Sequence, residues 1–188
     1  MKRVNSINFV PQKIFLTKGI GVHKEKLASF ELALRNAGIA SLNLITVSSI
    51  LPPNCEFIDK DTGIQLLLPG QVVPIVLARS ESNQPSTLVS SGVGIAVPRD
   101  REHYGYLSEH HCTGMNDFQM EEYVEDLAAE MLATTYGIKF DPNASWDEKR
   151  ELWSIDDRIV RTRSVVQTGD VNSEGYWTTT VAAAVLIL

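Results

Sequence analysis

Two helix-period segments set among many strand-length apolar runs, without strict alternation, constrain this chain to an α+β architecture. The first helix is expected from His23 to Ala37, where Leu27, Phe30, Leu34 and Ala37 form one stripe and Gly38 supplies the stop. The second runs from Asp117 to Tyr136. Its apolar face is Met120, Tyr123, Val124, Leu127, Met131 and Leu132, and Gly137 closes it. Strands are expected at Lys13–Thr17, Ser41–Ser49, Val72–Ala78, Leu88–Val97, Tyr104–Cys112, Ile159–Gln167 and Tyr176–Leu188, with a further β-like run at Ile64–Leu68. Gly19-Ile20-Gly21 reads as a turn, and Trp146–Trp153 as a short helix.

A length of 188 residues fits one domain, and a hydrophobic content of 44% is enough for a core. The net charge of −6, with no dense Lys/Arg patch, argues against nucleic-acid binding. Cys55 and Cys112 lack metal or disulfide spacing. The N-terminal segment lacks a signal-peptide pattern, and no run is long and apolar enough to span a bilayer, so a cytoplasmic location without membrane partners is expected. Without a secretory signal, the Asn143-Ala144-Ser145 sequon carries no weight.

The segment Asn43-Leu-Ile-Thr-Val-Ser48-Ser49-Ile-Leu-Pro52-Pro53 carries the chemistry. A serine hydroxyl can attack the carbonyl of the residue before it and form an ester. Elimination then leaves dehydroalanine, which hydrolyses to a pyruvoyl group and ammonia. Such chemistry needs a strained backbone and donors for the oxyanion, and a strand running into a double proline can store strain. A bare Ser-Ser pair is a weak signal, and Val89-Ser90-Ser91-Gly92 repeats it. Spacing alone does not choose between the pairs; the second lacks the prolines and precedes a glycine that relaxes the backbone.

The stretches KIFLTKGIGVHKEKLASFELALRNAGI, NLITVSSILPPNCE, GVGIAVPRD and GYLSEHH resemble the pyruvoyl-dependent arginine decarboxylase family, and the likeness covers most of the chain. The resemblance implies a four-layer αββα sandwich, a single domain over residues 1–188 that cleaves itself into chains 1–48 and 49–188. Ser49 becomes the pyruvoyl cofactor. It also implies a homo-oligomer of cleaved protomers, a trimer or a multiple of trimers, with sites between neighbours. L-Arginine would be converted to agmatine and carbon dioxide through a Schiff base on the ketone, for polyamine synthesis or for proton consumption in acid.

The same resemblance assigns Glu109 as the general acid that protonates the α-carbon. A carboxyl near an apolar site holds its proton to higher pH, which suits that task. Taken alone, Glu109 reads as a surface strand residue. Asn43, assigned to the oxyanion or to positioning, shares strand parity with Ser49; unaided, it reads as an edge residue. Glu31 matches the acid that reaches the guanidinium, where some members carry the shorter Asp, and Leu27 would line the pocket. Their structural alternatives are an ion pair with Arg35 and core packing.

Other motifs lead nowhere specific. Asp61-Thr62-Gly63 resembles an aspartic-protease triplet but reads as a turn. Glu109-His110-His111 lacks a third spaced ligand, so no metal is expected. Two readings stand beside the main one: the same fold and cofactor acting on another amino acid, or an uncleaved, non-catalytic oligomeric relative.

Overall fold

In the computed structural model, which describes residues 9–137 and 159–188, the element order is β1 (Lys13–His23), α1 (Lys26–Ala37), β2 (Asn43–Thr46), β3 (Ile50–Leu51), β4 (Glu56–Phe57), α2 (Lys60–Gln65), β5 (Val72–Ser82), β6 (Leu88–Pro98), β7 (Gly105–Thr113), α3 (Asp117–Thr135), β8 (Ile159–Asp170) and β9 (Trp177–Ile187). The strands form two sheets, ordered β2-β5-β9-β1-β4 and β3-β7-β6-β8. The first is mixed, with β2 parallel to β5 and β4 parallel to β1. A core of Ile14, Val76, Ala182 and Leu186 from the first sheet and Val93, Ile95 and Leu107 from the second lies between them. Helix α1 packs on β1 and β9, and α3 on β6, β7 and β8. The class is α+β, with two sheets face to face. The sequon and the short helix expected at 146–153 lie outside the described residues.

The central strands β9 and β6 are buried along nearly their whole length, which is why they read as continuous apolar runs rather than alternations. Ser90 and Ser91 sit inside β6. Ser90 Oγ donates to the Met115 carbonyl, and Ser91 Oγ donates to the Thr180 carbonyl at 3.1 Å. The repeated Ser-Ser pair is therefore regular strand with its hydroxyls committed to cross-links.

Gly19-Ile20-Gly21 is not a turn: β1 runs through it to His23, paired with β9 throughout. The glycines serve packing instead. A Cβ on either would strike the backbone of α1 at Ser29 or Ala33. The buried face of that helix is accordingly the small set Ser29, Ala33 and Ala37, with Phe30 and Leu34 flanking. Leu27, two residues and about 200° of helix rotation from Ser29, points away and is 76% exposed. This corrects the expected stripe at its first position. The helix also starts at Lys26 rather than His23, because β1 holds His23 opposite Trp177.

Gly92 and Gly94 repeat the device under α3. A Cβ on Gly94 would meet the Val124 carbonyl and, at 2.7 Å, Ser108 Oγ, which itself donates to that carbonyl. Gly94→Ala is expected to destabilise the chain by about 3 kcal/mol, since a helix backbone cannot step aside as a side chain can. Urea unfolding checks it; a cost below about 0.5 kcal/mol would contradict this packing.

Residues 60–65 form α2 where a turn and the beginning of a β-like run are expected. Asp59 caps it, accepting from Thr62 N at 2.8 Å and Thr62 Oγ1 at 2.6 Å, so the Asp-Thr-Gly triplet is a first helical turn. At α3, Asn116 and Gln119 form a reciprocal capping box that fixes the start beside the expected Asp117.

Candidate functional site

The expected strand Ser41–Ser49 is shorter: only Asn43–Thr46 is strand, and the chain then crosses to the other sheet. β2 ends at Thr46, and Val47 N extends its pairing to the Ile75 carbonyl. β3 begins at Ile50, paired with Tyr106 of β7. Ser48 and Ser49 are thus the crossover from one sheet to the other. The parity argument that put Asn43 and Ser49 on one face fails for this reason.

The crossover is held by main-chain hydrogen bonds on both carbonyls that flank the predicted cleavage point. Ile50 N–H donates to the Ser48 carbonyl at 2.9 Å, closing a tight turn centred on Ser49. Leu107 N–H donates to the Ser49 carbonyl at 2.8 Å. Ser49 Oγ donates to Glu109 Oε2 at 3.2 Å. Glu109 lies two residues beyond Leu107 on β7 and so on the same face of the strand, and Leu107 belongs to the core between the sheets.

The structure therefore brings together Ser48, Ser49 and Glu109. It does not bring Asn43 to them. Asn43 lies at the start of β2, roughly 10 Å of strand before its end, and its Nδ2 donates to the Gly70 carbonyl at 2.7 Å. Glu31 and Leu27 are on α1, which packs against β1 and β9 rather than the crossover. Glu31 pairs with Arg35 at 2.5 Å, the i,i+4 alternative noted for it, and its side chain is half exposed. Glu109 is exposed in the single chain, so the burial expected of it is not supplied by one protomer.

An apolar cleft of about 800 Å³ opens beside Ser48, walled by Ile45, Val47, Ile50, Val72 and Pro74 among others, and none of its described lining residues is charged. Ile45 is 52% exposed and Val72 55%. The cleft can exclude water from a reacting group, but its described lining holds no carboxylate side chain for a guanidinium.

Neither cysteine changes this reading. Burial pushes the Cys55 thiol up to about 11, with Arg101 partly offsetting it, so it is a protonated core residue at neutral pH. His110 faces α3, with its ring 4.3 Å from that of Tyr123; desolvation there lowers its pKa and the neighbouring His111 lowers it further. Among the described residues no group of three or more His, Cys, Asp and Glu is placed to hold a metal, and no helix is long and apolar enough to cross a membrane. The two main-chain donors, Ile50 and Leu107, were not legible in the sequence, because a backbone N–H leaves no residue signature.

Comparison with known proteins identifies the family. The family model described as pyruvoyl-dependent arginine decarboxylase matches residues 13–188. A probable pyruvoyl-dependent arginine decarboxylase of Chlorobium limicola is 51% identical over 181 residues, covering 96% of this chain and 99% of the relative. Pyruvoyl-dependent arginine decarboxylase 2 of Methanosarcina mazei is 51% identical over 178 residues, covering 95% of this chain and 97% of the relative. With a family match over nearly its whole length, the chain belongs to the pyruvoyl-dependent arginine decarboxylase family.

Proposed function

We propose that this chain cleaves itself between Ser48 and Ser49, converts Ser49 into a pyruvoyl group, and decarboxylates L-arginine to agmatine. The observation that carries the proposal is the contact of Ser49 Oγ with Glu109 Oε2 at 3.2 Å. It sets a hydroxyl against a carboxylate, next to a carbonyl already polarised by the Ile50 amide.

The surroundings of Ser49 suit the group. It would stay covalently attached to Ile50, with its amide carbonyl held by Leu107 N–H and the apolar cleft beside it. The group supplies a ketone for the substrate amine and an adjacent carbonyl that draws off the electrons left by departing carbon dioxide. Glu109 delivers the proton to the α-carbon, and the cleft walls keep bulk water away. In this reading helix, sheet, sheet and helix stack as a four-layer αββα sandwich, cleaved into chains 1–48 and 49–188.

The guanidinium needs a carboxylate that the cleft lacks. Glu31 is the assigned partner, yet within one protomer it lies on α1, with Leu27 exposed one turn before it. A ring of protomers, a trimer or a multiple of trimers, would bring α1 of one chain to the cleft of the next. Glu31 would then exchange Arg35 for the substrate, in the two-pronged geometry a guanidinium favours. Asn43, on the same strand as the cleft residue Ile45, would reach the substrate after cleavage frees residues 44–48.

A decarboxylation assay across amino acids tests the substrate. Agmatine and carbon dioxide from L-arginine, in preference to lysine, ornithine and aspartate, is the expected result. Preference for another amino acid would reject arginine while leaving the cofactor in place. Glu31→Gln is expected to raise KM for arginine by about 10- to 100-fold, the cost of losing one charge-assisted partner. An unchanged KM would remove Glu31 from the site.

A further inference from the structure

The proposed self-cleavage makes two separate demands for electron withdrawal, and they fall on different carbonyl oxygens. In the first step a bond forms between Ser49 Oγ and the Ser48 carbonyl carbon. The hydroxyl proton passes to Glu109 and from there to the Ser49 nitrogen as the C–N bond breaks, giving an ester and a free amine. Negative charge develops on the Ser48 oxygen. In the second step the Ser49 α-proton leaves to Glu109, again a carboxylate, and the Cβ–Oγ bond breaks with its pair going to Ser48 as the new C-terminal carboxylate. Charge now develops on the Ser49 oxygen, because the α-carbanion is conjugated with that carbonyl. Water then replaces the nitrogen, and ammonia leaves.

Each of these oxygens already has its own donor. Ile50 N–H is 2.9 Å from the Ser48 oxygen, and Leu107 N–H is 2.8 Å from the Ser49 oxygen. Both are amides fixed by the backbone, and they need no reorganisation as charge appears. We infer that the Ile50 and Leu107 main-chain amides are the two electrophilic catalysts of processing, Ile50 acting in the acyl shift and Leu107 in the elimination. This rests on the self-cleavage proposed above and extends it to the groups that stabilise each step. Asn43, the side chain assigned to the oxyanion, lies at the start of β2 and donates to the Gly70 carbonyl rather than to the crossover, which leaves the first role open to a main-chain donor.

The division of labour has a cause in the fold. Ile50 N–H is turned back on Ser48 by the tight turn, while Leu107 N–H comes from β7 in the second sheet, the same strand that carries Glu109. One strand thus places both the proton acceptor and the second donor against one serine.

Backbone ester replacement tests this. The α-hydroxy acid analogue of isoleucine at 50, or of leucine at 107, removes one N–H and keeps the side chain. Both can be installed during cell-free translation. Each is also installed in a Ser49→Ala chain, whose thermal midpoint reports whether the fold survives. Ile50→Pro, which also lacks the donor, repeats the first test by a different route.

Loss of the Ile50 amide is expected to slow the appearance of fragments by about 10²-fold or more, with full-length chain accumulating in which residues 48 and 49 are still joined by an amide. Loss of the Leu107 amide is expected to leave the acyl shift running and to stall the elimination, so that a Ser48–Ser49 ester accumulates. Neutral hydroxylamine cuts that ester after residue 48, and mass separates the products from those of the installed ester. Unchanged cleavage rates in folded chains, or equal slowing by both replacements with no hydroxylamine-sensitive species after residue 48, would overturn the assignment. A natural chain that never fragments would instead overturn the self-cleavage reading itself.

Discussion

Ser49→Ala is expected to give one species of 20.8 kDa and no arginine decarboxylation, where the natural sequence is expected to give fragments 1–48 and 49–188. Alanine keeps the crossover and its main-chain hydrogen bonds but removes the hydroxyl that attacks the Ser48 carbonyl. The effect is all-or-none because, among the described residues, no other hydroxyl is placed to substitute. Ser48 Oγ belongs to the residue whose carbonyl is attacked, and the other Ser-Ser pair is buried in β6 with its hydroxyls engaged across the core. Ser91→Ala is the matched control. It should cost about 1–2 kcal/mol in stability, through loss of the bond to the Thr180 carbonyl, and leave cleavage between 48 and 49 intact. Intact mass of both variants checks the pair of outcomes. Cleavage in Ser49→Ala would place the processing elsewhere in the chain.

Glu109→Gln should have the second largest effect, and on two observables at once. Glutamine preserves shape and can still accept from Ser49 Oγ, but it cannot take a proton. Fragment formation should slow by about 10²-fold, and kcat of the material that does cleave should fall by about 10²- to 10⁴-fold, the usual range for a missing acid or base. KM for arginine should move little, since Glu109 lies on β7 and is not the guanidinium partner in this reading. The two rates are separable, by following fragments during refolding and by assaying fully processed enzyme. Normal values for both would remove Glu109 from the chemistry. A fall in cleavage alone would confine it to processing.

Much of the frame is visible in the residues. Strand runs such as Leu88–Val97 and the capped, periodic helix after Asn116 announce themselves, because local pattern and tertiary burial agree there. The departures share one physical source, contacts distant in sequence. Gly19 and Gly21 look like a turn until α1 is laid across them, when they become the space a helix backbone needs. Residues 41–49 look like one strand, but the strand stops at Thr46 because β7 draws the chain from Ser49 onward to the second sheet. Leu27 completes a stripe on paper, but the helix is rolled by the small residues Ser29, Ala33 and Ala37 that fit those glycines.

The site divides in the same way. Ser49 and Glu109 are named by the family resemblance, and the fold sets them in contact across 60 positions of sequence. Glu31 and Asn43 are named equally well, yet one chain does not gather them. In the proposed function a neighbouring protomer and a cleaved chain would gather them, and neither is written in the residues of one copy. The Ile50 and Leu107 amides belong to a third kind, invisible in sequence because every residue but proline has an N–H and only the fold decides which ones face a reacting carbonyl.

The most direct test is the mass of the C-terminal fragment, measured before and after treatment with a hydrazide that reacts with ketones. Self-cleavage with pyruvoyl formation predicts a fragment beginning at position 49 that is lighter than a serine-initiated chain by one ammonia and gains one hydrazone. A full-length chain, or a 49–188 fragment with an intact serine terminus that ignores the reagent, would contradict it.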